Sequence, residues 1–80
     1  MSQPVADRVR QIAADLFDIP VAQVNDDLSP QTVPDWDSMQ HLNLVLALEA
    51  QLGVRFDPLE IEQMRTIGQI IRIAGEHVAG

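Results

Sequence analysis

The sequence predicts an all-α protein: a bundle of three to four helices with a long loop between the first and second helices. Apolar residues recur at helical spacing in several segments, and no segment alternates apolar and polar residues as a half-buried strand does. All five prolines lie before residue 59, and three of them fall between the first two helical segments. With 80 residues, 46% of them apolar, the chain suffices for one small domain spanning 1–80.

The first helix is predicted over residues 4–17. Pro4 suits a first turn, where a missing N–H costs little, and Pro20 ends the pattern because it disfavours helix at the preceding residue. Apolar residues follow the spacing of one helix face: Val5, Val9, Ile12, Ala13 and Leu16.

Residues 18–37 are predicted to form the long loop, because they contain three prolines and five aspartates. Loops of this length in a small domain are often functional. We expect Trp36 to anchor the loop on the bundle, since an aromatic ring contributes a large apolar surface. The apolar residues that would hold the loop on the core are scattered along it: Ile19, Val24, Leu28, Val33 and Trp36.

The second helix is predicted over residues 38–52, where good helix formers dominate, and Gly53 suits its C-terminal stop. Asp57, Pro58 and Glu60 form the pattern of a capping box, so a short helix to about Gln63 should follow. The last helix should begin after Thr66, with His77 placed favourably in its final turn. The residues expected in the core are Phe17, Leu44, Leu48, Leu52 and Ile70.

Composition excludes several functions. The chain has no cysteine, its two histidines lie 36 positions apart, and the acidic loop fails the EF-hand pattern, so we expect no metal site. Twelve Asp and Glu against five Arg give a net charge of −7, which disfavours nucleic acid and anionic membranes. No signal peptide or membrane-spanning run is visible, so we expect a cytoplasmic protein without membrane insertion. The charge also favours a monomer.

Asp37 and Ser38 stand where the loop meets the second helix. Asp37 is placed to cap the helix, with Gln40 completing a capping box, and Ser38 would present its hydroxyl at the helix N-terminus. Unpaired N–H groups and the helix dipole favour a negative group there, such as a phosphodiester. The dipeptide alone is weak evidence and favours an ordinary helix start.

The chain resembles the acyl carrier protein family over almost its whole length. Asp37-Ser38-Met39 is similar to the family's Asp-Ser-Leu attachment motif, and residues 37–49 resemble its second helix. Residues 52–57 resemble the family's turn into a short third helix, and residues 64–68 resemble the approach to its last helix. Length, acidity and the long loop agree with this resemblance.

The resemblance implies that Ser38 is the covalent attachment site of 4'-phosphopantetheine, moved from coenzyme A by a phosphopantetheinyl transferase. The transferase would supply the magnesium and the base, and Asp37 would help to position this metal-bearing partner. The thiol of the arm would carry acyl groups as thioesters for synthase enzymes of fatty-acid, polyketide or related biosynthesis. The chain itself lacks a nucleophile–base pair, so a carrier rather than an enzyme is expected.

Three apolar residues of the second helix exceed what one core face requires: Met39, Leu42 and Leu46. We expect Met39 and Leu46, framed by Glu49, to contact partner enzymes, whereas Leu42 fits a core or a contact role equally. His41 is expected to face solvent or a partner, because no third residue orients it as a base.

Two alternatives stay open. An aminoacyl or peptidyl carrier, loaded by an aminoacyl ligase in a nonribosomal or D-alanyl pathway, would use the same arm. The acid-poor second helix and Trp36 resemble discrete carriers of specialised pathways, which weakens an assignment to general fatty-acid synthesis. An unmodified helical adaptor would instead bind one partner through the second helix.

Overall fold

The computed structural model of the chain describes residues 4–79, and within them the protein is all-α, as predicted. Four α-helices follow one another: α1 at Val5–Phe17, α2 at Ser38–Leu52, α3 at Pro58–Gln63 and α4 at Ile67–Ala79. A single turn of 3-10 helix at Val21–Gln23 interrupts the long connection between α1 and α2. None of the described helices is long and apolar enough to cross a membrane.

The core lies between α1, α2 and α4 and contains no buried polar or charged residue among those described. Four of the five predicted core residues are buried, and Leu52 is only partly buried, because it lies at the end of α2. The largest side chains that are almost completely buried are Trp36, Leu44, Leu48, Met64, Ile67 and Ile70.

The end of α2 and the start of α3 have the predicted capping residues. Gly53 ends α2 in the left-handed conformation at φ 68°, and its N–H donates to the Glu49 carbonyl. Asp18 ends α1 in the same conformation, which is uncommon for a residue with a side chain. At the start of α3, Glu60 accepts from the Asp57 N–H at 2.9 Å and completes the capping box.

The α1–α2 connection is held on the bundle by side chains and by backbone bonds. Trp36 is only 2% exposed and packs on Phe17 with 5.2 Å between ring centroids, so the prediction that it anchors the loop is confirmed. Leu28 and Asp26 accept backbone bonds from the first two residues of α4, at 3.0 and 2.9 Å. A Cβ at Gly68 would lie 3.2 Å from the Asp26 Cβ, so the close approach favours glycine there.

Candidate functional site

Ser38 is the first residue of α2, and its side chain is exposed. Asp37 precedes it in extended conformation and accepts a hydrogen bond from the Gln40 N–H at 2.9 Å, as predicted for a helix cap. The expectation that Gln40 would complete a capping box is wrong. Its side-chain oxygen instead accepts from the Asn43 amide at 2.9 Å on the solvent side of α2.

The first turn of α2 therefore presents an exposed hydroxyl beside backbone N–H groups that have no partner within the helix. The positive end of the helix dipole lies at the same place, and it stabilises a negative group bound there. The carboxylate of Asp37 already bonds one of the N–H groups. Because the Ser38 side chain is exposed, it is open to reaction with a group that another protein brings to it. A serine buried in an enclosed site would not be.

A groove of about 560 Å³ opens beside Ser38, between the start of α2 and residues 61–65. We call residues 61–65, the second half of α3 and the two residues after it, the α3 segment. The walls of the groove combine apolar and polar side chains. Sequence reasoning did not predict the contribution of the α3 segment, because those residues are far from Ser38 in the sequence and meet it only in the folded chain. The lining residues are Pro30, Trp36, Asp37, Ser38, His41, Leu42, Ile61, Glu62, Met64 and Arg65.

His41 is oriented by two neighbours and is half-buried, so it does not project freely into solvent as expected, while contact with a partner stays a prediction. The Trp36 indole N–H donates to His41 Nδ1 at 3.1 Å, and His41 Nε2 lies 3.1 Å from the Ile61 carbonyl. An indole nitrogen only donates, so Nδ1 accepts and Nε2 carries the proton. His41 thus joins the loop to α3, and neither ring nitrogen is available to act as a base at Ser38.

Met39, Leu42 and Leu46 are 72%, 56% and 61% exposed, so none of them belongs to the core. We call these three residues the exposed α2 patch. Their exposure removes the core alternative for Leu42, while their role as partner contacts stays a prediction. Glu49 is half-buried, and its carboxylate accepts from the Phe56 N–H at 2.9 Å, so it also holds the α2–α3 turn.

The other histidine also has a structural role. His77 in the last turn of α4 lies 2.8 Å from the Glu60 carboxylate and edge-on to Phe56. The Asp57 N–H, followed by His77, holds the pKa of Glu60 below its usual range. Among the residues that the structure describes, no group of three metal-binding side chains occurs.

Comparisons with known proteins show which family the chain resembles. A family model for the phosphopantetheine attachment site matches residues 7–74. An acyl carrier protein of Saccharopolyspora erythraea is 27% identical over 75 residues, covering 94% of this chain and 79% of that protein. Polyketide-8 synthase acyl carrier protein 2 of Streptomyces avermitilis is 31% identical over 61 residues, covering 76% and 70%.

A solved structure shows the same fold. The holo acyl carrier protein of Geobacter metallireducens superposes with a TM-score of 0.85 at 23% identity, covering 96% of this chain and 88% of that one. Fold, site and family model together define a carrier of a covalent prosthetic group, without a catalytic site of its own. The chain belongs to the acyl carrier protein family, whose prosthetic group is 4'-phosphopantetheine.

Proposed function

We propose that this protein carries acyl intermediates as thioesters on a 4'-phosphopantetheine arm attached to Ser38. One observation carries the proposal: Ser38 presents an exposed hydroxyl on the first residue of a capped helix, at the edge of a groove, inside the segment that the attachment-site model matches. Asp37 fixes the helix start by its bond to Gln40 and remains exposed for contact with the transferase.

Loading requires a group transfer that the partner enzyme catalyses. The Ser38 oxygen attacks the β-phosphorus of coenzyme A, and a new bond forms between Oγ and phosphorus. The phosphorus–oxygen bond to adenosine 3',5'-bisphosphate breaks, and that leaving group carries away the electron pair. The transferase supplies magnesium and the base that takes the hydroxyl proton. His41 does not act as that base, because both of its ring nitrogens are engaged.

When bound, the arm supplies the thiol that forms thioesters, and the chain itself has no cysteine. The residues of the chain have simpler tasks: they present Ser38, hold the loop, and offer a docking surface. The exposed α2 patch, with Glu49 at its edge, lies on the same helix as Ser38 and is suited to contact the transferase, loading ligases and synthase enzymes in the cytoplasm.

The pathway that fits best is a specialised one, such as polyketide assembly. Glu49 is the only acid in α2, so contacts of that helix with a partner are more apolar than charged. The name of the Streptomyces avermitilis relative, a polyketide synthase carrier, supports this choice. An aminoacyl or peptidyl carrier is the second candidate, because the same acid-poor helix and Trp36 also suit it.

Intact mass spectrometry tests the attachment site. Wild type and Ser38→Ala are incubated with coenzyme A and a permissive transferase, with Ser29→Ala as the matched control in the loop. We expect one arm to be added to wild type and S29A, and none to S38A. Thermal unfolding should show S38A folded, with a loss of stability within about 1 kcal/mol.

Two results would contradict the proposal. An arm on S38A would place the attachment elsewhere, and no arm on folded wild type with several transferases would favour the adaptor. With the arm in place, competition between acyl and aminoacyl donors for the thiol, read by mass, separates the two carrier types.

A further inference from the structure

The groove beside Ser38 contains one cation among its lining residues. Arg65 lies on its α3 side, whereas Asp37 and Glu62 contribute acids. The protein as a whole carries a net charge of −7, so an anion placed in this groove meets repulsion from most directions. Besides the N-terminus of α2, Arg65 is therefore the one lining group that attracts a negatively charged group by its charge.

The backbone of Arg65 is fixed, and the end of its side chain is exposed. Its N–H donates to the Gln69 side-chain oxygen at 3.0 Å and to the Gln63 carbonyl at 2.9 Å. Its Nε donates to the Glu62 carbonyl at 3.4 Å, which is a long bond. Over residues 4–79 the guanidinium takes part in no ion pair, in contrast to Arg10, which pairs with Asp26 at 2.9 Å.

We propose that Arg65 binds the phosphodiester of the arm on Ser38 and thereby lays the arm along the groove between α2 and α3. The inference rests on the proposed attachment at Ser38. A guanidinium offers several N–H donors in a planar fork that matches two oxygens of one phosphate group. The phosphodiester is the group of the arm directly joined to Ser38, so its charge falls at the edge of the groove.

The rest of the groove suits the rest of the arm. The groove has an apolar wall next to Arg65, formed by Trp36, Ile61 and Met64. The arm carries a branched dimethyl group close to its phosphate, and this group suits an apolar wall. Without the cation, only the N-terminus of α2 would offset the repulsion by the Asp37 and Glu62 carboxylates, and the arm would leave the groove more often. Arg65 is thus a positioning residue for the arm.

Nuclear magnetic resonance on the loaded protein tests this inference. Wild type, Arg65→Gln, Arg65→Lys and Arg55→Gln are each loaded and checked by intact mass. Arg55→Gln removes the same charge from an exposed residue that does not line the groove. Shifts between unloaded and loaded protein are measured at the Trp36 indole N–H and the Met64 amide, at low and high salt.

In wild type and R55Q we expect clear shifts at both groups, weakened by salt. R65Q should reduce the fraction of molecules whose arm lies in the groove about two- to fivefold, as expected for the loss of a partly exposed ion pair. R65K should retain part of this effect of Arg65. Equal shifts in wild type and R65Q on fully loaded protein would overturn the role of Arg65 but not the attachment at Ser38. Failure of wild type to gain the arm would overturn the attachment proposal, and this inference with it.

Discussion

α3 and the other three helices are held in different ways. α1, α2 and α4, which we call the frame, meet through apolar side chains that are fully or almost fully buried, such as Val9, Leu48 and Ile70. α3 contributes no buried residue, and its most enclosed apolar side chain, Ile61, is only partly buried. Burial is the main source of stability in a small domain, so the frame carries most of it.

Between the buried Phe56 before it and the buried Met64 at its end, α3 itself is held by polar contacts. His41 bonds the Ile61 carbonyl, Glu60 pairs with His77, and Glu49 bonds the Phe56 N–H just before α3 begins. Such contacts are directional and individually small, so they can open without unfolding the frame. Because Ile61 and Glu62 of α3 line the groove beside Ser38, these contacts help to hold one wall of the groove in place.

The largest effect is expected in the frame. Leu48→Ala should lower the free energy of unfolding by about 2–5 kcal/mol, because Leu48 is 0% exposed and its removal leaves a cavity. Leu46→Ala, in the same helix but 61% exposed, is the matched control and should cost less than about 1 kcal/mol. Urea unfolding followed by circular dichroism measures both, and similar losses would contradict the assignment of the core.

A smaller and more local effect is expected at the link between loop and α3. His41→Ala should cost about 1–3 kcal/mol, because the Trp36 N–H then lies buried without its partner. Hydrogen exchange of the α3 amides should accelerate more than that of α1. Gln51→Ala, an exposed polar residue of α2, is the control. If exchange in α3 stays unchanged, His41 does not hold that helix.

The smallest effect concerns charge at the α3–α4 contact. Glu60→Gln keeps an oxygen that accepts from the Asp57 N–H but removes the ion pair with His77. The pKa of Glu60 is lowered in the folded protein, by the Asp57 N–H first and then by His77. The carboxylate therefore stabilises the fold above its unfolded pKa, near the ordinary 4.5, and this contribution is lost as pH falls through the lower folded pKa.

Thermal unfolding of wild type and E60Q from about pH 6 to pH 3 checks the sign. Wild type should be the more stable at the upper end, and the two should converge at the lower end. A difference that grows on acidification would show that the pair does not act through the charge of Glu60.

Local chemistry made the helices predictable. α2 begins at Ser38 and α3 begins at Pro58, as expected from Asp37 as a cap and from the capping box at Asp57. Each of these ends depends on residues within one helical turn of it. The burial of Trp36 was predictable for a related reason, since a large aromatic side chain in a polar loop has few favourable places besides the core.

The groove and both histidine contacts were less accessible to sequence reasoning. His41 was expected to face solvent or a partner, because no third residue was seen to orient it; the groups that do so lie in two other segments, the loop and α3. Likewise, Arg65 and Ser38 line one groove although they lie in different segments, the link between α3 and α4 and the start of α2. Periodicity within a segment carries no information on such pairings between segments.

The two backbone bonds that the first residues of α4 donate to the Asp26 and Leu28 carbonyls have a consequence for the evolution of the chain. They divide the connection of residues 18–37 into two shorter spans, so closing it costs less chain entropy than one free loop would. Because backbone bonds do not depend on side-chain identity, either span can accept substitutions and even insertions while Ser38 keeps its position. Variation between related carriers should therefore concentrate on both sides of this fixed point and spare Gly68.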